Sequence, residues 1–276
     1  MISTDEVVVE RIAVARGSGR RLGDLAVESA RAAAGADSVQ AVVAATFSNP
    51  DRFPSLAVKV ASSLGLAPST PAFDVQMACS AYPYALYVAG KLAKDLGGRA
   101  LVVDGDVQTP LVDANDHATG SIFSDACTAT VVSCGEGRSY FDFMSLADDA
   151  LRCPAEGPIS MDGFAVFSFV ATEVSKFLSA FLDGVAASAG FDPRSLPFAP
   201  HQANPYMVRR LADELGLSER LLTIPDDVKN PGSCSVPMAL AMHGRPGRAV
   251  VAGFGAGYSA SAAVVRLADG FSAVAE

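Results

Sequence analysis

The stretch "FDVQMACSAYPYALYVAGKLA", Phe73 to Ala93, decides how the chain is read. An apolar lead-in of strand character delivers Cys79, and the alanine-rich run after it has the spacing of a helix. Pro83 suits a first helical turn, where a missing N–H costs nothing. A helix start offers unpaired N–H groups and a partial positive charge, and both favour a thiolate over a thiol. Cys79 is therefore a candidate nucleophile for acyl capture, against the alternative of a buried core cysteine.

On either side, short β-branched runs alternate with alanine-rich helical stretches. Strands are expected at "VVVERIAVA" (7–15), "SVQAVVAATF" (38–47), "RALVVDGDV" (99–107) and "CTATVVSC" (127–134). The helix "LGDLAVESARAAAG" (22–35) places Leu22, Leu25, Ala26, Ser29, Ala30 and Ala33 on one face, and Gly35 stops it. "GEGRSYFDFM" and "CPAEGP" (153–158) read as a connection rich in turn formers. Beyond it come a long helix from Phe164 to about Ala189, the strand "LPFAPHQAN" and a helix from Pro205 to Gly216. Two strands around the glycine-rich turn of "RAVVAGFGAGYSASAAVVRL" close the chain. Such alternation predicts an α/β fold with largely parallel sheets between helix layers. It divides into two pseudo-repeated halves, 1–137 and 138–276, that share an order of elements. "PAFDVQMACSAYPYALYVAGKLAKDLG" matches "LPFAPHQANPYMVRRLADELG", which sets His201 near the position that Cys79 holds in the other copy. Halves packed face to face would bring Cys79 and His201 together.

Composition narrows the chemistry. A net charge of −9 argues against nucleic acid as a partner. Five cysteines, an odd number without a CxxC pair, suit a reducing cytosol. Asp5, Glu6 and Glu10 stand where a signal peptide would be basic and then apolar, and no apolar run approaches the ~18 residues of a membrane span. A cytoplasmic protein with no membrane association is expected. The three histidines lie far apart, so no metal site is predicted. "GFGAGYSA" (253–260) does not open a helix, and no phosphate-loop lysine is present, so no nucleotide cofactor is expected. Gly253, Gly255 and Gly257 instead suit close approach of backbone to a bound thioester. Asn230, ahead of Pro231-Gly232 in "VKNPGSCSVPMALAMHG" (228–244), is either a turn former or an amide that donates to a developing enolate or thioester oxygen.

Taken in order, "DVQMACSAYPYALYVA", "PHQANPYMVRRLADELG", "NPGSCSVPMALA" and "GFGAGYSASAAVVRL" resemble the signature blocks of β-ketoacyl-ACP synthase III enzymes of the thiolase superfamily. The resemblance runs over nearly all of the chain from Leu22 onward. It implies a five-layered α-β-α-β-α fold and a Cys79–His201–Asn230 set. In that set Cys79 accepts an acyl group from a thioester, and His201 and Asn230 stabilise the enolate of a malonyl-type extender as it loses CO₂. It assigns the oxyanion to the N–H groups of Cys79 and Ala256, within a turn that includes Gly255. Phe254 matches a pocket phenylalanine, and Phe53 an aromatic that reaches into a dimer partner's acyl pocket. A homodimer, or a heterodimer with a related subunit, is implied.

The departures bear on the donor. The chain has no tryptophan to stack on coenzyme A, and "RGSGRR" (16–21) stands in place of a longer segment. His117 replaces the arginine expected beyond the adenine, and Tyr206 replaces a basic carrier-docking residue. The expected donor is therefore an acyl carrier protein, or another carrier, in preference to a CoA thioester, with no cofactor beyond the thioester. Two alternatives stand beside decarboxylative condensation: acyl transfer to an amine, alcohol or thiol, and a supporting role in a heteromeric ketosynthase.

Overall fold

The first strand runs well beyond its β-branched centre. In the computed structural model, which describes residues 1–35, 38–113 and 115–275, β1 spans Ile2–Arg16, followed by α1 (Leu22–Ala34), β2 (Ala41–Ala45), α2 (Leu56–Ser63) and β3 (Ala72–Val75). Then come α3 (Ala81–Leu96), β4 (Ala100–Asp106), the single turn α4 (His117–Gly120), β5 (Ala126–Ser145), and the short pair β6 (Leu151–Arg152) and β7 (Ser160–Met161). The remainder is α5 (Gly163–Phe169), α6 (Ser175–Ala189), β8 (Phe198–Pro200), α7 (Pro205–Leu215), α8 (Ser235–His243), β9 (Gly247–Gly255) and β10 (Ser259–Ala275).

The strand order is β3-β2-β4-β5-β1-β10-β9-β8, with β5 also pairing β10. Period-two alternation sorts the side chains into three cores. Val42, Ala44, Leu101 and Val103 face α1 and α2 on one outer side. Ala41, Val43, Val102 and, from the other strands, Ala249 and Val251 face α3 and α8 in the middle. Val250, Ala252 and Ala262 face α6 and α7 on the far side. The layers are thus helix, sheet, helix, sheet, helix, the five-layered thiolase-like architecture.

Two sequence expectations are corrected. "GEGRSYFDFM" is no connection, since β5 runs straight through it. Residues 138–141 pair with Ile2–Asp5, and 140–145 pair with β10, so one strand serves both sheets. Gly135 and Gly137 leave room there for the buried Glu6 carboxylate, which Arg248 and Arg266 flank at 3.7 and 3.6 Å. The 137/138 boundary accordingly falls inside a strand rather than in a linker.

The second correction concerns how the halves match. β8 lies parallel beside β9 as β2 lies parallel beside β4, and α7 follows β8 as α2 follows β2. The counterpart of the Cys79 turn is therefore the Gly232–Cys234 turn that opens α8, not His201. Both turns are single 3₁₀ turns that lead into central helices. Sequence likeness between the HQAN block and the Cys79 block reflects a shared strand-turn-helix plan, which every repeat of an α/β fold offers.

The helical run Gly163–Ala189 is long and apolar enough, by length and composition, to cross a membrane. Glu173, Lys176 and Asp183 interrupt it, and Phe169, Val174, Leu178, Phe181 and Val185 pack into the outer core. It is a core helix, with a π-helical turn at Val170–Val174 where α5 meets α6.

The central layer tolerates little bulk. A Cβ at Gly90 of α3 would lie 2.6 Å from Val7 Cγ2. Gly90→Leu is expected to destabilise the protein by about 1–3 kcal/mol through overpacking, read as a lower midpoint in urea unfolding. Unchanged stability would contradict this close helix–sheet contact.

Candidate active site

β3 carries the chain to Cys79 through Gln76, Met77 and Ala78, and Ala78 takes a φ of +41°. That left-handed residue is uncommon outside glycine and marks a forced turn. The turn rests on the β9–β10 hairpin with almost no clearance. A Cβ at Gly253 would lie 2.7 Å from Ser80 Cα, and one at Gly255 would lie 2.9 Å from Cys79 Cβ. These glycines serve contact with the cysteine turn itself, where the sequence suggested contact with a bound thioester. Gly257 does line a cavity. Serines complete the anchorage: Ser261 Oγ donates to the Ser80 carbonyl at 2.7 Å, and the Ser80 and Ser259 hydroxyls are hydrogen-bonded at 2.6 Å. Sequence reasoning missed this pair, although Ser259 and Ser261 alternate along β10 as two residues on one face must.

Cys79 is 6% exposed. Burial pushes its thiol up to about 12, the Asp106 carboxylate adds to this, and the Ala256 and Cys79 backbone amides act in the opposite sense. The expectation of a thiolate set by the helix start is thus corrected for the resting protein. Loss of water around the sulfur outweighs two amides and the end of a helix. The same amides are well placed for a different task, since both N–H groups converge beside the sulfur.

His201 follows β8, and its N–H donates to the Ala252 carbonyl at 2.7 Å. Its ring is buried, meets Phe254 edge-on at 5.5 Å, and has its pKa lowered to about 4 by burial. Nδ1 lies 3.1 Å from the Gly232 carbonyl and 3.0 Å from Ser235 Oγ. A carbonyl can only accept, so the neutral ring carries its proton on Nδ1 and keeps Nε2 as an acceptor. Asn230 is oriented by the same logic. Gly232 N donates to Asn230 Oδ1 at 2.9 Å, which leaves the NH₂ end free to donate to a ligand.

The Gly232–Cys234 turn packs against the 78–80 turn, and this contact joins the three residues. Two cavities open on Cys79 and Asn230, one on each. One, of about 540 Å³, is mainly apolar and is lined by Cys79, Phe47, Met77, Phe123, Ile159 and Ala256. The other, of about 190 Å³, is lined by Asn230, Ile122, Gln202, Asn204, Arg209 and Lys229. Consecutive residues Ile122 and Phe123 form the partition, and Phe123 bridges to Asn230. His201 lines neither cavity; its ring lies against the Gly232 carbonyl and Ser235 Oγ.

The pocket residues fare differently. Ala256 lines the larger cavity. Gly255 lies under Cys79, and Phe254 is packed into the outer core against His201 rather than in either cavity wall. Phe53 is 85% exposed and borders neither cavity. His117 and Tyr206 are exposed. Among the described residues no cluster of three or more His, Cys, Asp or Glu side chains could hold a metal. Two buried acids were missed. Asp104 and Asp106 end β4 on its central face, and burial pushes Asp106 up to about 6 despite donors from Thr46, Phe47 and Ser48.

Five alternating layers with a cysteine turn facing a second helix start across the central layer define the thiolase-like class. Residues 73–149 match the model of 3-oxoacyl-[acyl-carrier-protein] synthase III, and residues 187–267 match the model of its C-terminal part. The chain is 34% identical to a β-ketoacyl-[acyl-carrier-protein] synthase III of Neisseria meningitidis serogroup C, covering 79% of this chain and 73% of that one. The fold superposes on a 3-oxoacyl-(acyl carrier protein) synthase III of Pseudomonas aeruginosa with a TM-score of 0.85 and 26% identity, over 95% of this chain and 98% of that one. The priming β-ketosynthase of the R1128 polyketide pathway gives a TM-score of 0.78 and 27% identity, over 92% and 84%. The chain belongs to the β-ketoacyl-[acyl-carrier-protein] synthase III family of ketosynthase-type transferases.

The His201 shift has a measurable sign. Between the ordinary 6.5 and the folded value of about 4, the unfolded chain binds more protons than the folded one. The contribution of a neutral His201 is therefore full above 6.5 and is lost as pH falls toward 4. His201→Gln is expected to remove that part of the acid slope when urea midpoints are compared with wild type across this window. An identical slope in both proteins would contradict the buried neutral ring.

Proposed function

We propose that the protein moves an acyl group from an acyl carrier protein thioester to Cys79 and condenses it with a malonyl-type thioester, with loss of CO₂. The observation that carries this reading is the pair of Cys79 and Ala256 amides beside the sulfur, with the Gly232–Cys234 turn that holds His201 and Asn230 packed against the cysteine turn. The chemistry follows from these groups. The Cys79 thiol proton passes to His201 Nε2 as the sulfur attacks the donor carbonyl. The two amides hold the resulting oxyanion, and its collapse expels the carrier thiolate, which takes the proton from His201.

In the second half-reaction the extender carboxylate leaves as CO₂, and its electron pair moves onto the thioester carbonyl oxygen. Asn230 NH₂ donates to that enolate. The carbanion attacks the acyl carbonyl, the same amides hold the oxyanion, and Cys79 departs. One proton from solvent, delivered through His201, restores the thiol. The Nδ1–H tautomer makes Asn230 the first donor to the enolate, with His201 serving mainly as the proton relay.

The larger apolar cavity suits the acyl chain beside Cys79, and the smaller polar one suits the extender arm beside Asn230. A carrier-borne donor is favoured because only Gly17–Arg21 separates β1 from α1 and the chain has no tryptophan for a CoA clamp. Phe53, 85% exposed, is the group that a second copy of the chain, or a related subunit, would cover. All five cysteines are unpaired, which supports work in the reducing cytoplasm.

Mass spectrometry after exposure to acyl carrier thioesters should find an acyl adduct on Cys79 that Cys79→Ser abolishes. Asn230→Ala should keep the adduct but slow CO₂ release from malonyl-ACP by about 10²-fold or more. Undiminished CO₂ release in Asn230→Ala would favour acyl transfer without condensation.

A further inference from the structure

Asp104 is fully buried at the inner face of β4, one strand step before Asp106. Ser233 Oγ donates to its Oδ1, while Oδ2 is sealed from water with no hydrogen-bond partner. A carboxylate so placed, with no cation paired to it among the described residues, would be very costly. Burial accordingly holds the carboxyl well above the usual carboxylate range, against the Ser233 hydrogen bond that lowers it. Two hydrophobic residues of similar volume could fill this space without a hydrogen-bonding requirement, so the polar pair needs a reason.

Its position supplies one. Ser233 lies directly after Gly232, whose carbonyl accepts from His201 Nδ1 and whose N–H fixes the Asn230 amide. Gln108, four residues beyond Asp104 on the same side of the chain, donates through Nε2 to the Asn230 carbonyl at 3.3 Å. β4 and its extension therefore hold the Asn230–Cys234 segment at two points, through Gln108 at its start and Asp104 near its end. We propose that Asp104 is a positioning residue, which through Ser233 fixes the turn that presents the Gly232 carbonyl to His201 and the Asn230 amide to the bound thioester. The inference rests on the roles assigned to His201 and Asn230 above.

Asp104→Ala, Asp104→Asn, Ser233→Ala and the double Asp104→Ala/Ser233→Ala variant test it in steady-state decarboxylation of malonyl-ACP by acylated enzyme. Ser233→Ala and Asp104→Ala should each lower kcat about tenfold or more with KM nearly unchanged, since small displacements of aligned groups cost rate rather than binding. The double variant should be no slower than the slower single one. Asp104→Asn should recover most of the rate, because a neutral amide oxygen can accept from Ser233 as the carboxyl does.

A second readout is independent of the substrate. In ¹⁵N NMR, His201 should be the Nδ1–H tautomer in wild type and Asp104→Asn, and a tautomer mixture in Ser233→Ala. Asp104→Asn as slow as Asp104→Ala, or Ser233→Ala with wild-type kcat and tautomer, would overturn the proposal. If wild type releases no CO₂ from any malonyl carrier, the condensing reading fails, and the NMR series alone decides the positioning role.

Discussion

A sulfur removed from water cannot ionise cheaply, and the organisation of this protein answers that constraint. The Cys79 thiol is held near 12 in the resting fold, so nucleophilicity has to be generated when a donor arrives. The proton needs an acceptor that is itself neutral, and burial keeps His201 in that state. The charge that then develops on oxygen needs donors already in place, and the Cys79 and Ala256 amides need no reorganisation to meet it.

Two helix starts meeting in one central layer make this possible. α3 and α8 lie between the sheets, and their opening 3₁₀ turns abut, so that Cys79 and the Asn230–Cys234 segment come from distant parts of the chain to one place. Close approach is bought with glycine at Gly253 and Gly255, where a side chain would strike the cysteine turn. Paired serines, Asp104 and Gln108 then fix these turns. Backbone carbonyls assign the working groups: Gly232 sets the imidazole tautomer, and the Gly232 N–H sets which end of the Asn230 amide faces a ligand.

Much of this was legible in the sequence, because the reactive residues sit at strand–helix junctions, which turn formers and capping residues announce. The helix after Asn204, the stop at Gly35 and the long helix ending at Ala189 all follow local rules. What local pattern could not give was partnership. Nothing near Gly135 tells that β5 continues until the Glu6 carboxylate is known to occupy the space that the glycines leave. Nothing near His201 tells that the true counterpart of the Cys79 turn is the Gly232 turn, because the relation rests on strand neighbours rather than on residue types. The thiolate expected at a helix start was wrong for the resting state, since burial is a property of the assembled layers. Phe254 likewise has the residue type of a pocket wall, yet β9 alternation turns it into the outer core. Asp104 and Asp106 read as ordinary strand-end acids until the layers close over them.

The protonation state of the nucleophile tests the account most directly. Titrating the Cys79 Cβ signal by ¹³C NMR, assigned against Cys79→Ser, should show a thiol across the neutral range in the free protein, with ionisation only toward about 12. A thiolate at neutral pH, paired with a charged His201, would contradict it.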